Sequence, residues 1–288
     1  MKKGELLSQF KDQLTIKNYR PQTIKSYVCS MENFLEYTIA NPQPKRGIKD
    51  YARAFLLQRF REGKSWSTVN VDYSAIRMLF VNVLHISWDY EFIPRPRGRS
   101  SLPSILSGKQ VESMINLVNN LKHKTIITLI YTTGIRIGEV VNLNVSDLLL
   151  DRSQLKVADG KGGKDRIIAI PKTGLSMIKS YLEYYRPTKI LIEGNPREKR
   201  YSRSSISKII KRSAKSAGVA FAVSAHSLRY AYATHHIENG TDLVYLQHQM
   251  GHKQINTTLK YVKLCKNKPR HINHPIAKLN IKLPSQIT

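Results

Sequence analysis

His226-Ser227-Leu228-Arg229-Tyr230, followed by Gly251-His252 and then Leu259-Lys260-Tyr261, is the stretch on which the reading of this chain turns. If its start is helical, His226 and Arg229 are three residues apart and share a face. An imidazole that can bond one oxygen and a guanidinium that can fork onto two others suit a phosphate. Tyr261 closes the stretch with a hydroxyl placed to attack that phosphate. A phenol with a pKa near ~10 is a poor nucleophile until a base or a cationic pocket helps it lose its proton. The remaining groups such a reaction needs must come from elsewhere in the chain.

Bulk composition points to the same kind of ligand. The 288 residues carry 47 basic and 20 acidic side chains, a net charge of +27. Residues 1–100 hold 17 basic and 9 acidic side chains, and residues 101–288 hold 30 and 11, so neither half carries the excess alone. A charge spread this way suits a polyanion embraced by the whole protein. No segment has the ~18 uninterrupted apolar residues of a membrane span, and the polar start Met1-Lys2-Lys3-Gly4-Glu5 lacks the apolar core of a signal peptide. The expectation is a soluble, cytoplasmic chain with no membrane partner. Its two cysteines, Cys29 and Cys265, lie far apart and make no metal-binding pattern, so no metal or cofactor is expected.

Outward from the opening stretch, residues 1–93 read as a bundle of about four helices. Their apolar positions include Leu6, Leu7, Phe10 and Leu14, then Ile24 through Ile39, then Tyr51, Ala54, Phe55, Leu57 and Phe60, then Val69 through Leu84. Pro21 opens the second helix, and Ser65 or Ser67 caps the fourth. Short polar and basic groups gather at two helix starts: Lys17, Asn18, Thr23 and Lys25 at one, Ser67, Asn70 and Arg77 at the other. Such groups are what phosphate contacts use, although capping and ordinary solvation explain each singly. Residues 94–103 read as a basic linker in which Arg95, Arg97 and Arg99 lie among prolines, glycine and serines.

From 104 to 288 the reading is a second, α+β domain. Two helices meet at Gly134, and Arg136 begins the second, where it needs Glu139 or a bound anion as partner. Strands at 154–157 and 166–170 flank a turn, Gly160-Lys161-Gly162, where glycine permits close approach to a ligand. A basic helix at about 203–217 carries Arg203. After Tyr261 a basic stretch leads into a tail whose isolated apolar residues, such as Ile276 and Leu279, suit a neighbouring protomer. The fold class is mainly α with a small antiparallel sheet.

Taken together, Thr133-Gly134-Ile135-Arg136 with Glu139, Gly160-Lys161-Gly162, His226-Ser227-Leu228-Arg229, Gly251-His252, and Tyr261 nine residues later resemble the tyrosine recombinase, or phage integrase, family. The resemblance covers the second domain and, more loosely, the first, which it makes a SAM-like core-DNA-binding domain. It implies that Arg136 and Arg229 hold the non-bridging oxygens of a DNA phosphate and that Lys161 protonates the leaving 5′-oxygen. It further implies that His226 and His252 donate to the phosphate or assist proton transfer, that Tyr261 is the nucleophile, and that Glu139 supports Arg136. Tyr230 departs from the commoner histidine at its position, which is not one of the catalytic set.

The implied enzyme is a site-specific recombinase working through a 3′-phosphotyrosine, as a homotetramer on double-stranded DNA with protomers joined by the C-terminal tail. Two preorganised arginines stabilise the charge that develops on phosphate oxygens, so no metal is called for. Integration or excision of a mobile element is the leading role, with Xer-like dimer resolution or integron-type recombination as alternatives and accessory DNA-bending proteins as further partners. Type IB topoisomerase-like relaxation and a non-catalytic repressor are the competing classes.

Overall fold

The computed structural model describes residues 3–43, 45, 47–98, 103–158, 165–197 and 199–265. The chain divides into two compact units, residues 1–101 and 102–288.

Four helices build the first unit: α1 (Lys3–Ile16), α2 (Pro21–Ala40), α3 (Ile48–Arg61) and α4 (Trp66–Asn82). Pro21 stands at the start of α2, where its missing N–H costs no helical bond. Ser65, not Ser67, caps α4 by accepting from the Thr68 amide. The core is formed by Phe10, Leu14, Met31, Phe34, Phe55, Val69, Ile76, Leu79 and Phe80. Trp88 packs edge-on against Tyr73 and Phe80 and donates to the Tyr73 hydroxyl at 2.9 Å. One ion pair is internal: Arg59 Nε donates to the buried Asp72 carboxylate at 3.0 Å.

Periodicity assigns this core three residues that the structure leaves exposed: Ile39, Leu57 and Phe60. Ile39 and Phe60 fall in the last turns of α2 and α3. Leu57 lies a ~100° step beyond the stripe of Ala52, Phe55 and Leu56 that α3 buries.

The second unit is arranged around α6 (Leu121–Thr133), which is buried along most of its length. Against it pack α5 (Gly108–Asn116), α7 (Ile137–Asn142), α8 (Lys172–Tyr185), α9 (Arg203–Ser216) and α10 (Ala225–Glu238). Ser107 and Gln110 form a reciprocal cap on α5. Beside this layer lies an antiparallel sheet of β1 (Leu148–Leu149), β2 (Gln154–Val157) and β3 (Arg166–Ala169), in that order. The register pairs Leu155 with Ile168 and Val157 with Arg166, so apolar side chains at 155, 157 and 168 point into the core. Two residues of β1 extend the two-stranded hairpin that alternation predicts, and a strand this short carries no periodic signal. Two short helices, α11 (Leu243–Met250) and α12 (Ile255–Val262), complete the unit.

Gly134 and Gly251 end α6 and α11 in the left-handed conformation, at φ +62° and +63°. At Gly134 there is also no room: an added Cβ would sit 2.4 Å from Cδ1 of Tyr232. Gly134→Ala therefore strains the backbone and displaces a buried ring, at a cost of at least about 2 kcal/mol. Urea unfolding measures this loss, and a variant of wild-type stability would contradict the packing described.

Candidate active site

The two glycine-terminated helices meet at one side chain. Arg229, on the first turns of α10, is the largest fully buried residue among those described, at 1% exposure. Its Nη1 donates to the Gly134 carbonyl, and its Nη2 donates to the Met250 carbonyl at 2.7 Å. Both carbonyls lie at helix C-termini, where the unsatisfied C=O groups carry partial negative charge. Nη2 also donates to Nε2 of His252 at 2.9 Å. Among the described residues Arg229 thus rests on neutral acceptors, with no carboxylate among its hydrogen-bond partners. Burial, then the charge of Arg136, pulls its pKa down to about 10, which leaves it a cation at neutral pH.

Arg136 is the residue at which α7 begins. Its side chain keeps 27% of its surface open, and Nη1 donates to Oε1 of Glu139 at 2.9 Å. Glu139 returns the favour by accepting from the Arg136 amide at 2.8 Å, which closes the first turn of α7. A second arginine shares this carboxylate. Arg166, first residue of β3, forks onto Glu139 at 3.1 and 2.8 Å and donates through Nε to the Gln249 carbonyl at 3.0 Å. Burial alone would raise the Glu139 pKa; the hydrogen bonds and charges of Arg166 and then Arg136 overcome that and hold it below the usual range. Arg136 and Arg166 share the carboxylate of Glu139 and Arg229 does not, which leaves these four described side chains with a surplus of two positive charges when the histidines are neutral.

Tyr261, on α12, faces this surplus. Its ring lies 5.9 Å from that of His252 and nearly parallel to it, with 12° between the planes. On its other side Tyr230 lies 5.5 Å away, and His226 lies 4.4 Å beyond Tyr230. The result is a run of four rings in successive contact, His226–Tyr230–Tyr261–His252. Tyr261 is only 4% exposed. Burial raises its pKa, and the charge and hydrogen bonding of Arg229 pull partly the other way.

Both ring-row histidines are held neutral. Burial of part of the His226 ring, then the charges of Arg229 and Arg136, lowers its pKa. Burial, then Arg229, Arg136 and Arg166, pushes His252 down to about 3. A histidine whose folded pKa is depressed adds stability above its unfolded value of ~6.5, and that stability is lost as pH falls through the folded value. The melting temperature should accordingly fall between pH 7.5 and about 5. His252→Gln should show a smaller fall over the same range, measured by thermal unfolding at the two pH values; an equal fall in both proteins would contradict the depressed pKa.

The structure brings together Arg136, Glu139, His226, Arg229, His252 and Tyr261. Lys161 lies outside the described residues, between β2 and β3 in sequence. Among the proposed DNA contacts, Lys17, Asn18, Lys25, Ser67, Arg77, Arg95, Arg97 and Arg203 are exposed, Thr23 and Asn70 are half-buried, and Arg99 is outside the described residues. Arg95 Nε donates to Oδ1 of Asn70 at 2.9 Å, while Arg77 stacks over Tyr90. Arg203 lies against Gly138 on α7, with its guanidinium where a Cβ would meet it. Three residues at the site had no signal in the sequence: Arg166, Tyr230 as a member of the ring row, and Thr258, whose buried Oγ1 lies 2.9 Å from Nδ1 of His252. Among the described residues no group of histidine, cysteine, aspartate or glutamate could hold a metal ion, and no helix is long and apolar enough to cross a membrane.

The phage integrase family matches residues 104–268, and the N-terminal SAM-like domain of phage integrases matches residues 6–90. The chain is 29% identical over 281 residues to tyrosine recombinase XerA of Pyrococcus horikoshii, covering 96% of this chain and 94% of that protein. With XerA of Thermococcus onnurineus it shares 31% identity over 269 residues, 91% of each chain. The crystal structure of XerA recombinase superposes with a TM-score of 0.53 at 27% identity, over 90% of this chain and 93% of that one. A lambda integrase dimer bound to a COC′ core site gives 0.74 at 19% identity, over 89% and 97%, a likeness of fold. Matched along both its units, the chain belongs to the phage integrase family and is a tyrosine-type site-specific recombinase.

Proposed function

We propose that this recombinase cuts and rejoins double-stranded DNA through a 3′-phosphotyrosine on Tyr261, in the integration and excision of a mobile element. The observation that carries the reading is the buried Arg229, which has no carboxylate among its hydrogen-bond partners and faces the Tyr261 phenol beside Arg136. A buried cation surplus of this kind is completed by an anion.

Arg136 and Arg229 hold the non-bridging oxygens, and Glu139 keeps Arg136 oriented. Tyr261 gives up its proton and attacks phosphorus; the bond to the 5′-oxygen breaks, and Lys161 protonates that oxygen. His226 and His252 donate to the phosphate or carry the proton. The phosphotyrosine retains the energy of the broken bond, so attack by a second 5′-hydroxyl reseals DNA without ATP. Placing donors in advance where charge develops is the largest contribution expected of such a site, roughly 3 kcal/mol for each good donor.

The bases Lys208, Lys211, Arg212 and Lys215 on α9 are exposed and are further candidates for contact with DNA phosphates. Lambda integrase is known as a tetramer bound to a Holliday junction, and XerH as a complex with a palindromic difH substrate. The first supports a tetramer here and the second a DNA complex, and the C-terminal tail, which lies outside the described residues, is the proposed protomer contact. Resolution of chromosome or plasmid dimers is the second reading, favoured by the nearly full-length likeness to Xer recombinases.

The test is recovery of DNA covalently attached to the protein in cells, followed by sequencing. Joined element ends support integration and excision, and a chromosomal or plasmid dimer site supports resolution. The absence of any covalent adduct overturns both. The recovered site, nicked beside the scissile phosphate so that the short leaving strand diffuses away, is the substrate for the kinetic experiments below.

A further inference from the structure

Thr258 stands one helical turn before Tyr261 on α12 and is fully buried. Its Oγ1 lies 2.9 Å from Nδ1 of His252, whose Nε2 lies 2.9 Å from Nη2 of Arg229. An arginine has donors and no acceptor, so Nε2 must carry the lone pair. The ring proton is then on Nδ1, and Nδ1–H donates to Thr258 Oγ1. Arg229 thus assigns the tautomer, and the group that accepts the Nδ1 proton comes from the helix of the nucleophile.

From this geometry we infer that Thr258 is a positioning residue for the recombination chemistry: it accepts Nδ1–H of His252 and so keeps the ring oriented, with Nε2 still a proton acceptor, when Arg229 turns to a DNA phosphate. The partner of the second ring nitrogen commonly decides which nitrogen of a histidine works. When a DNA phosphate takes the Nη2 donor of Arg229, Nε2 is released as a base beside Tyr261. The phenol proton then passes from Oη to Nε2, and the imidazolium so formed keeps Nδ1–H on Thr258 while its new Nε2–H can donate to a phosphate oxygen. The phenolate attacks phosphorus, the 5′-oxygen leaves with its proton from Lys161, and no further reactant is needed. Because Thr258 and Tyr261 share α12, the helix that delivers the nucleophile also sets its base.

The catalytic part of this inference rests on the proposed function; the tautomer does not, and the two are measured separately. In the DNA-free full-length protein, ¹⁵N spectra of the imidazoles, assigned by comparison with His252→Gln, should show His252 with a protonated Nδ1 and an unprotonated Nε2. Thr258→Val, which keeps the shape and removes the hydroxyl, should keep that tautomer in the free protein, because Arg229 still donates to Nε2, but should shift the Nδ1 resonance as its hydrogen bond is lost. On the nicked site it should also slow adduct formation by about 10- to 100-fold, in line with other residues that orient a working histidine, while DNA affinity stays near wild type. Thr258→Ser should restore both the nitrogen pattern and the rate. A protonated Nε2 in the wild-type protein overturns the inference without recourse to any variant. Equally, Thr258→Val that forms adduct at the wild-type rate overturns it. If the wild-type protein forms no adduct at all, the proposed function fails, and the nitrogen pattern alone decides whether Nδ1–H of His252 rests on Thr258.

Discussion

Tyr261→Phe forms no covalent adduct with the nicked site and binds the same duplex within about threefold of wild type, because only the reacting oxygen has been removed. The ring itself is part of the buried cluster with Tyr232, Ala233, Ile237, Leu246 and Met250, and phenylalanine fills the same space. The phenol is a weak nucleophile in the free protein: burial raises its pKa although Arg229 opposes that shift. Entry of a phosphate supplies the electrophile, and release of His252 supplies a base. Denaturing gel electrophoresis separates adduct from free protein, and filter binding gives the affinity. Adduct formed by Tyr261→Phe at any appreciable rate would place the nucleophile elsewhere.

Arg229→Lys has the second large effect, and it acts on stability as well as chemistry. An ammonium has no planar fork and cannot reproduce donations to the Gly134 carbonyl, the Met250 carbonyl and His252 together. Each buried acceptor left without a donor costs ~1–3 kcal/mol, so a total loss of roughly 2–4 kcal/mol is expected. Adduct formation should fall by about 100-fold or more, the loss of one preorganised donor to the transition state. Thermal unfolding and single-turnover adduct kinetics read the two effects independently. Arg136→Lys separates them further: its partner Glu139 keeps Arg166, so stability should change little while cleavage still falls. An Arg229→Lys protein that loses stability yet cleaves normally would mean that Arg229 is only a brace between α6 and α11, and one unchanged in both would contradict both roles.

That double role explains what was legible in the sequence. Residues that could hold a phosphate stood out because arginine, histidine and tyrosine recur in family-like order, and the structure gathers Arg136, His226, Arg229, His252 and Tyr261 around one point. The helices and the hairpin were legible because their apolar residues repeat at helical or alternating spacing, and Gly134 and Gly251 mark helix ends where a left-handed residue is needed. The residues that hold the site in shape were not legible. Arg166 lies 27 positions from Glu139 and reads as one more base at the start of a strand. Thr258 reads as an ordinary helical threonine until the fold turns its hydroxyl onto His252. Tyr230 departs from the commoner family residue, and only the packing of α10 against α12 shows it between His226 and Tyr261. Each depends on a contact between distant segments, which local spacing does not encode. The exposure of Ile39, Leu57 and Phe60 has the same origin, since periodicity marks a face without saying how far along the helix its partner extends.

The central claim is that Tyr261 becomes joined to the 3′-phosphate of DNA within the Arg136–Arg229 site. Mass spectrometry of the adduct, after nuclease digestion of the DNA and proteolysis of the protein, tests it most directly. The account predicts a nucleotide linked through its 3′-phosphate to the peptide containing Tyr261, and a free 5′-hydroxyl on the released strand. A nucleotide attached to any other residue, or joined through a 5′-phosphate, would contradict it.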